Sequence, residues 1–155
     1  MSVQVREILK PVVMTIPARE SCYEAALRMR RSRIHHLAVV GDRGQVEGIV
    51  TDRDLRSLLF VTLAGGSAEK VVDVEKTLRE RPVRDVMSAP AVTVGPQESL
   101  ATTVRLMAER KIGSILVVDD SGLIGIVTET DLIALLSQRG LFSRAGVESV
   151  ILPAA

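Results

Sequence analysis

The 155-residue sequence predicts an α/β fold, α+β in its layout, built as two tandem β-α-β-β-α repeats related by a pseudo-twofold axis. Three observations predict it. Residues 5–44 align with 83–122 at an offset of 78, and 48–59 with 125–136 at an offset of 77, with nineteen identities, too many for chance. Within each copy the apolar spacing turns from helical to extended and back to helical. Turn residues divide the two extended runs at the same place in both copies. A unit of about 55 residues is marginal alone, so the two are expected to pack together.

The first repeat is placed at residues 1–60. Its opening strand lies around Val13 to Ile16, matched by Ala91 to Val94 in the second repeat, 83–138. Cys22, Ala25, Ala26 and Met29 recur at helical spacing, as do Leu100, Thr103, Val104 and Met107. Two β-rich runs follow, Leu37 to Val40 and Val46 to Val50, joined by Asp42-Arg43-Gly44. Their counterparts are Ile115 to Val118 and Leu123 to Val127, joined by Asp120-Ser121-Gly122. Near-continuous apolar strands of this kind are expected to be covered on both faces. Each repeat closes with a helix carrying Leu55, Leu58 and Leu59, or Leu132, Leu135 and Leu136. Residues 61–82 read as a linker with a flexible Gly65-Gly66-Ser67 and then a helix up to Glu80; residues 139–155 are a weakly patterned tail.

Composition removes several classes of function. Aromatic residues make up 2% of the chain, which leaves few platforms on which nucleic-acid bases could stack. Twenty basic against nineteen acidic residues leave a net charge of +1, so neither nucleic acid nor an anionic membrane is an expected partner. No segment approaches the roughly 20 apolar residues that span a bilayer. The lone Cys22 excludes an internal disulfide and, with no basic-then-apolar opening, leads us to expect a cytoplasmic protein. No nucleophile paired with a base, P-loop or GxGxxG turn is present, so an enzyme is not expected.

The sharpest motif is Gly48-Ile49-Val50-Thr51-Asp52-Arg53-Asp54, echoed by Gly125-Ile126-Val127-Thr128-Glu129-Thr130-Asp131. A buried strand ends at a Thr, and an acidic residue follows three positions later at the start of a helix. One reading is a capping box. The other is a ribose site, since such a carboxylate can accept hydrogen bonds from both hydroxyls of a vicinal diol. The Thr hydroxyl and the free N–H groups of the helix end would then face a phosphate. The two readings are compatible. His35 and His36 lack a nearby Cys or third His, so no metal site is expected there. Arg28, Arg30, Arg31 and Arg33 read as a solvated helix face, with a phosphate or an acidic partner as the alternative.

The strand ending Val-Val, the Asp-x-Gly turn and Gly-Ile-Val-Thr-x-x-Asp-Leu together resemble the CBS domain, named after cystathionine β-synthase, and the tandem pair resembles a Bateman module. The resemblance covers residues 5–59 and 83–136. It implies a regulatory module, with no required cofactor, that binds an adenine nucleotide of the AMP, ADP or ATP type in two clefts between the repeats, with S-adenosylmethionine or a dinucleotide such as NAD as the alternatives the family offers. It also implies a homodimer and a regulated protein partner. Carried onto this sequence, it implies one cleft where Thr128, Thr130 and Asp131 face Val13, Met14, His35 and His36. In the other, Thr51, Arg53 and Asp54 face Ala91, Val92, Gly113 and Ser114. The sequence departs from the family at Ala38 and Leu116, where Pro is frequent, at Gly41, and by one extra residue near Glu47. The alternative reading is an assembly module whose clefts are empty and whose capping boxes are only caps.

Overall fold

A computed structural model describes residues 3–64 and 73–138. The expected Gly65-Gly66-Ser67 flexibility and the expected tail, 139–155, lie outside these residues. The element order is β1 (Thr15–Pro17), α1 (Cys22–Ser32), β2 (His36–Val40), β3 (Val46–Thr51) and α2 (Asp52–Ala64), then α3 (Val74–Glu80). The second repeat supplies β4 (Thr93–Val94), α4 (Leu100–Arg110), β5 (Ser114–Asp119), β6 (Gly122–Thr128) and α5 (Glu129–Gln138). The β-α-β-β-α order therefore appears twice. Among the described residues no helix is long and apolar enough to cross a membrane.

Each repeat forms a three-stranded sheet, β1-β2-β3 or β4-β5-β6, whose first pair is parallel and second antiparallel. The central strands have three or more consecutive buried residues, as a two-sided sheet requires. Leu37 and Val39 point to one core with Cys22, Ala25 and Met29, while Ala38 between them packs with Leu116 and Ile126 of the other repeat. Strand alternation thus splits one apolar run between a helix-facing core and an inter-repeat core. The extra residue of repeat one is absorbed in its turn: Val40 pairs with Val46, whereas Val118 pairs with Leu123. Gly44, in the first turn, and Gly122, the first residue of β6 just after the second, have φ of 78° and 110°, where a side chain would be strained.

Helices α1 and α4 start alike and stop alike. Ser21 and Ser99 accept hydrogen bonds from the backbone N–H of Glu24 and Thr102. Arg33 and Lys111 end the helices in left-handed backbone at φ of 52° and 54°. Arg28 donates to the Thr15 carbonyl oxygen at 3.0 Å and pairs with Glu24, so it ties α1 to β1 rather than belonging wholly to a solvated face.

The structure adds to the elements drawn from the sequence in three ways. Helix α2 continues to Ala64, four residues into the expected linker. The apolar spacing of the closing helices is not all core: of α2 only Leu55 is buried, α5 has no buried residue, and Val104 of α4 is exposed. Most consequentially, the opening segment of each repeat belongs to the other repeat's core. The Val5 N–H donates to the Glu98 carbonyl, and Val5 is buried with Met107, Ile115, Val117 and Val127. The Val83 N–H donates to the Glu20 carbonyl, and Val83 is buried with Ile16, Cys22 and Leu37. Linear alignment assigns residues by sequence order and has no signal for such an exchange.

The expected linker helix is α3, and it is docked on repeat one. Asp73 caps it, Leu78 packs against the core of repeat one, and the Arg79 guanidinium lies 3.8 Å from the Tyr23 ring centre.

Candidate functional site

The two Thr-x-x-Asp motifs open α2 and α5 with the same hydrogen bonds. Asp54 Oδ2 accepts from the Thr51 N–H at 2.8 Å and its hydroxyl at 2.7 Å, while the Asp54 N–H donates to Thr51 Oγ1 at 3.2 Å. The corresponding distances for Asp131 and Thr128 are 2.9, 2.6 and 3.4 Å. Both are reciprocal caps. Each uses only one oxygen of its carboxylate and leaves Oδ1 for something else. The first helical N–H of each is held from the strand start: Asp52 donates to the His35 carbonyl and Glu129 to the Gly113 carbonyl.

A cavity of about 380 Å³ lies between the repeats at these helix openings. Ten of the fourteen residues singled out from the sequence line it: His35, His36, Thr51, Arg53, Asp54, Val92, Gly113, Ser114, Thr128 and Thr130. The other four are elsewhere. Val13 and Ala91 pack against the inter-repeat core, Met14 is partly exposed and accepts the Ala38 N–H through its carbonyl, and Asp131 is paired with Lys10. His35 and His36, expected in one cleft, line this cavity together with Arg53 and Asp54, expected in the other. The physical reason is the fold's symmetry. Residues 35–36 and 113–114, at the openings of β2 and β5, hold pseudo-equivalent places and line the same space. Sequence reasoning missed Asp52, Arg56, Ser88, Lys111 and Glu129, which also line it. Their signal was proximity to the motif and to its pseudo-symmetric partner.

The charge of the site is mixed. Asp52 stands between His35 Nδ1 at 3.3 Å and Arg56 at 3.0 Å. Arg53 and Lys111 add positive charge, and Glu129 adds negative charge. Burial pushes the His36 imidazole below its ordinary value near 6.5, partly opposed by the carboxylate of Asp52. For Asp131, burial pushes the carboxyl up, but hydrogen bonds from Lys10 and Thr128 outweigh it and leave the group below its usual range. Among the described residues no group of three or more His, Cys, Asp or Glu side chains is placed to hold a metal ion.

A larger cavity, about 510 Å³, lies on the outer side of repeat one among Ala26, Met29, Leu55, Leu59 and Leu78, rimmed by Arg30 and Arg33. Its walls are mostly aliphatic and it does not reach Asp54 or Thr51; it shares only His35, Asp52 and Arg56 with the first cavity. Size alone does not select the site; convergent polar groups do.

Comparison with known proteins follows the same lines. The CBS domain family matches twice, at residues 5–61 and 83–138. A Methanopyrus kandleri protein of uncharacterized function is 35% identical over 85% of this chain, which spans 62% of that protein. The chain spans 31% of a Methanocaldococcus jannaschii relative. A CBS domain-containing protein of Dictyostelium discoideum is 32% identical, with 88% of this chain and 92% of that protein covered. The crystal structure of the CBS domain pair of protein MJ0100, in complex with 5′-methylthioadenosine and S-adenosyl-L-methionine, superposes with a TM-score of 0.72 at 25% identity. It covers 86% of this chain and 99% of that one.

Proposed function

The chain belongs to the CBS domain family, and on that premise we propose that it is a regulatory module binding an adenine nucleotide of the AMP, ADP or ATP type between its repeats. The observation that carries the reading is Asp54. Its Oδ2 is committed to the helix cap, and among the described residues its Oδ1 has neither a hydrogen-bond nor an ionic partner while the side chain lines the inter-repeat cavity. A ribose diol donating to that oxygen would place the ligand's phosphates near Arg53, Arg56, Lys111 and the histidines. The cavity's volume falls within the roughly 300–1,000 Å³ of small-molecule sites. The complex of MJ0100 with two adenosine-containing compounds supports the adenosine part of this reading.

Because the cavity is walled by both repeats, a ligand there binds their relative orientation as well as their side chains. It would favour whichever orientation it fits better and so shift the population. The output goes to a partner protein or through a homodimer. Phe60, Val61 and Leu63 of α2 and Ile133 of α5 are exposed apolar side chains that a second copy could cover. Those same residues favour the second reading, a ligand-free assembly module.

The test is a thermal-shift and calorimetric screen with AMP, ADP, ATP, NAD, NADH and S-adenosylmethionine. A ligand at 100 times its Kd adds about 2.7 kcal/mol of apparent stability. AMP, ADP or ATP is expected to give the largest shift. No shift with any compound, together with a dimer in sedimentation, would favour the assembly reading.

A further inference from the structure

The two Thr-x-x-Asp caps match hydrogen bond for hydrogen bond, but their aspartates differ in one neighbour. Lys10 and Ser88 occupy equivalent places in the repeat alignment, and the structure uses their backbones identically. Lys10 exchanges both backbone hydrogen bonds with Ile126, at 3.0 and 3.1 Å, and Ser88 exchanges both with Ile49, at 2.9 and 3.0 Å. Each residue is thereby fixed beside the strand that runs into the opposite repeat's Thr-x-x-Asp motif. From there the side chains diverge. Lys10 Nζ reaches Asp131 Oδ1 at 2.7 Å, and the Asp131 side chain is only 9% exposed. The short Ser88 side chain makes no such contact with Asp54, and both line the open cavity.

We propose that Lys10 is a built-in occupant of the second ribose position, so that the chain takes one nucleotide, at Asp54, and keeps the pseudo-symmetric site closed. The inference rests on the adenine-nucleotide reading above. Both oxygens of Asp131 are engaged, Oδ2 by Thr128 and Oδ1 by the ammonium. An incoming diol would have to displace a charge-assisted hydrogen bond with neutral hydroxyls and leave a carboxylate, nine-tenths buried, without its countercharge. Asp54 asks for no such exchange. Lys10 is therefore a residue that sets stoichiometry. Repeat two keeps the whole sequence motif of a binding site, and one side chain from the N-terminal segment silences it.

The experiment is isothermal titration of the full chain with AMP and with ATP, comparing wild type, Lys10→Ser, and Lys10→Ser combined with Asp131→Asn. Lys10→Ser copies the residue that repeat two already places beside Asp54. Wild type is expected to bind one nucleotide per chain, Lys10→Ser two, and the double variant one again. If Lys10→Ser loses its far-UV circular dichroism, Lys10→Gln replaces it, since it keeps part of the stem and removes the charge. Two nucleotides bound by wild type, or a stoichiometry that stays at one when Lys10 is replaced, would overturn the closed site while leaving the nucleotide function intact. Binding of neither nucleotide to any variant would overturn the function and the closed site with it.

Discussion

Val5 and Val83 are exchanged between the repeats: each is fully buried, and each lies in the core of the repeat that the other one opens. The exchange makes neither core complete without a segment from the neighbouring repeat. Val5→Ala or Val83→Ala removes two buried methyl groups and is expected to cost about 1.5–3 kcal/mol. In urea unfolding followed by circular dichroism, each variant should lower the midpoint of one shared transition. Two separable transitions, only one of them moved by Val83→Ala, would contradict this coupling.

Asp54→Asn keeps the shape of the side chain and loses its charge. Nucleotide affinity should fall tenfold or more, the loss of charge-assisted bonds worth about 1.5–3 kcal/mol. The same carboxylate caps α2 through Thr51, so a lower melting temperature should accompany it. Calorimetry on samples checked by circular dichroism separates the two effects. An unchanged affinity removes Asp54 from the site.

His36 links the cavity to pH. Burial lowers its pKa below the ordinary 6.5, so the unfolded chain takes up a proton before the folded chain does. Its contribution to stability is therefore fully present above pH 6.5 and is lost as pH falls through that value toward the folded pKa. Urea unfolding at pH 7.5, 6.5 and 5.5 should show wild type losing more stability than His36→Gln over this range. A phosphate bound nearby favours the protonated imidazole, so nucleotide affinity should also rise as pH falls, and less so in His36→Gln.

Cys22 is fully buried in the core of repeat one, and burial pushes its thiol up to about 11, against a smaller opposing pull from Arg81. It should behave as an unreactive apolar residue. At pH 8 an aromatic disulfide reagent is expected to react slowly with the folded protein and rapidly in urea. Fast reaction in the native state would place the thiol at the surface.

Much of the fold was legible before any coordinates. The repeated Gly-Ile-Val-Thr-x-x-Asp run, the Asp-x-Gly turns and the switch between helical and extended spacing encode local structure, and local structure depends on near neighbours in the chain. That is why β2, β3, β5, β6 and the helix openings appear where their residues predict. Apolar spacing was a poorer guide at Val104 and Leu136, which are exposed, because periodicity marks an apolar face without saying what covers it.

The sequence by itself determined the repeat, the order of its elements, and the reciprocal caps at Thr51–Asp54 and Thr128–Asp131. Only the tertiary structure decided that residues 5 and 83 cross over, that both histidines share a cavity with Arg53 and Asp54, and that Lys10 lies against Asp131 rather than beside its own repeat's motif. The reason is distance along the chain. A cap joins residues three positions apart, whereas Lys10 and Asp131 meet only because two sheets pack back to back through Ala38, Leu116 and Ile126. Two motifs of nearly equal sequence thus acquire different surroundings from side chains far away in sequence.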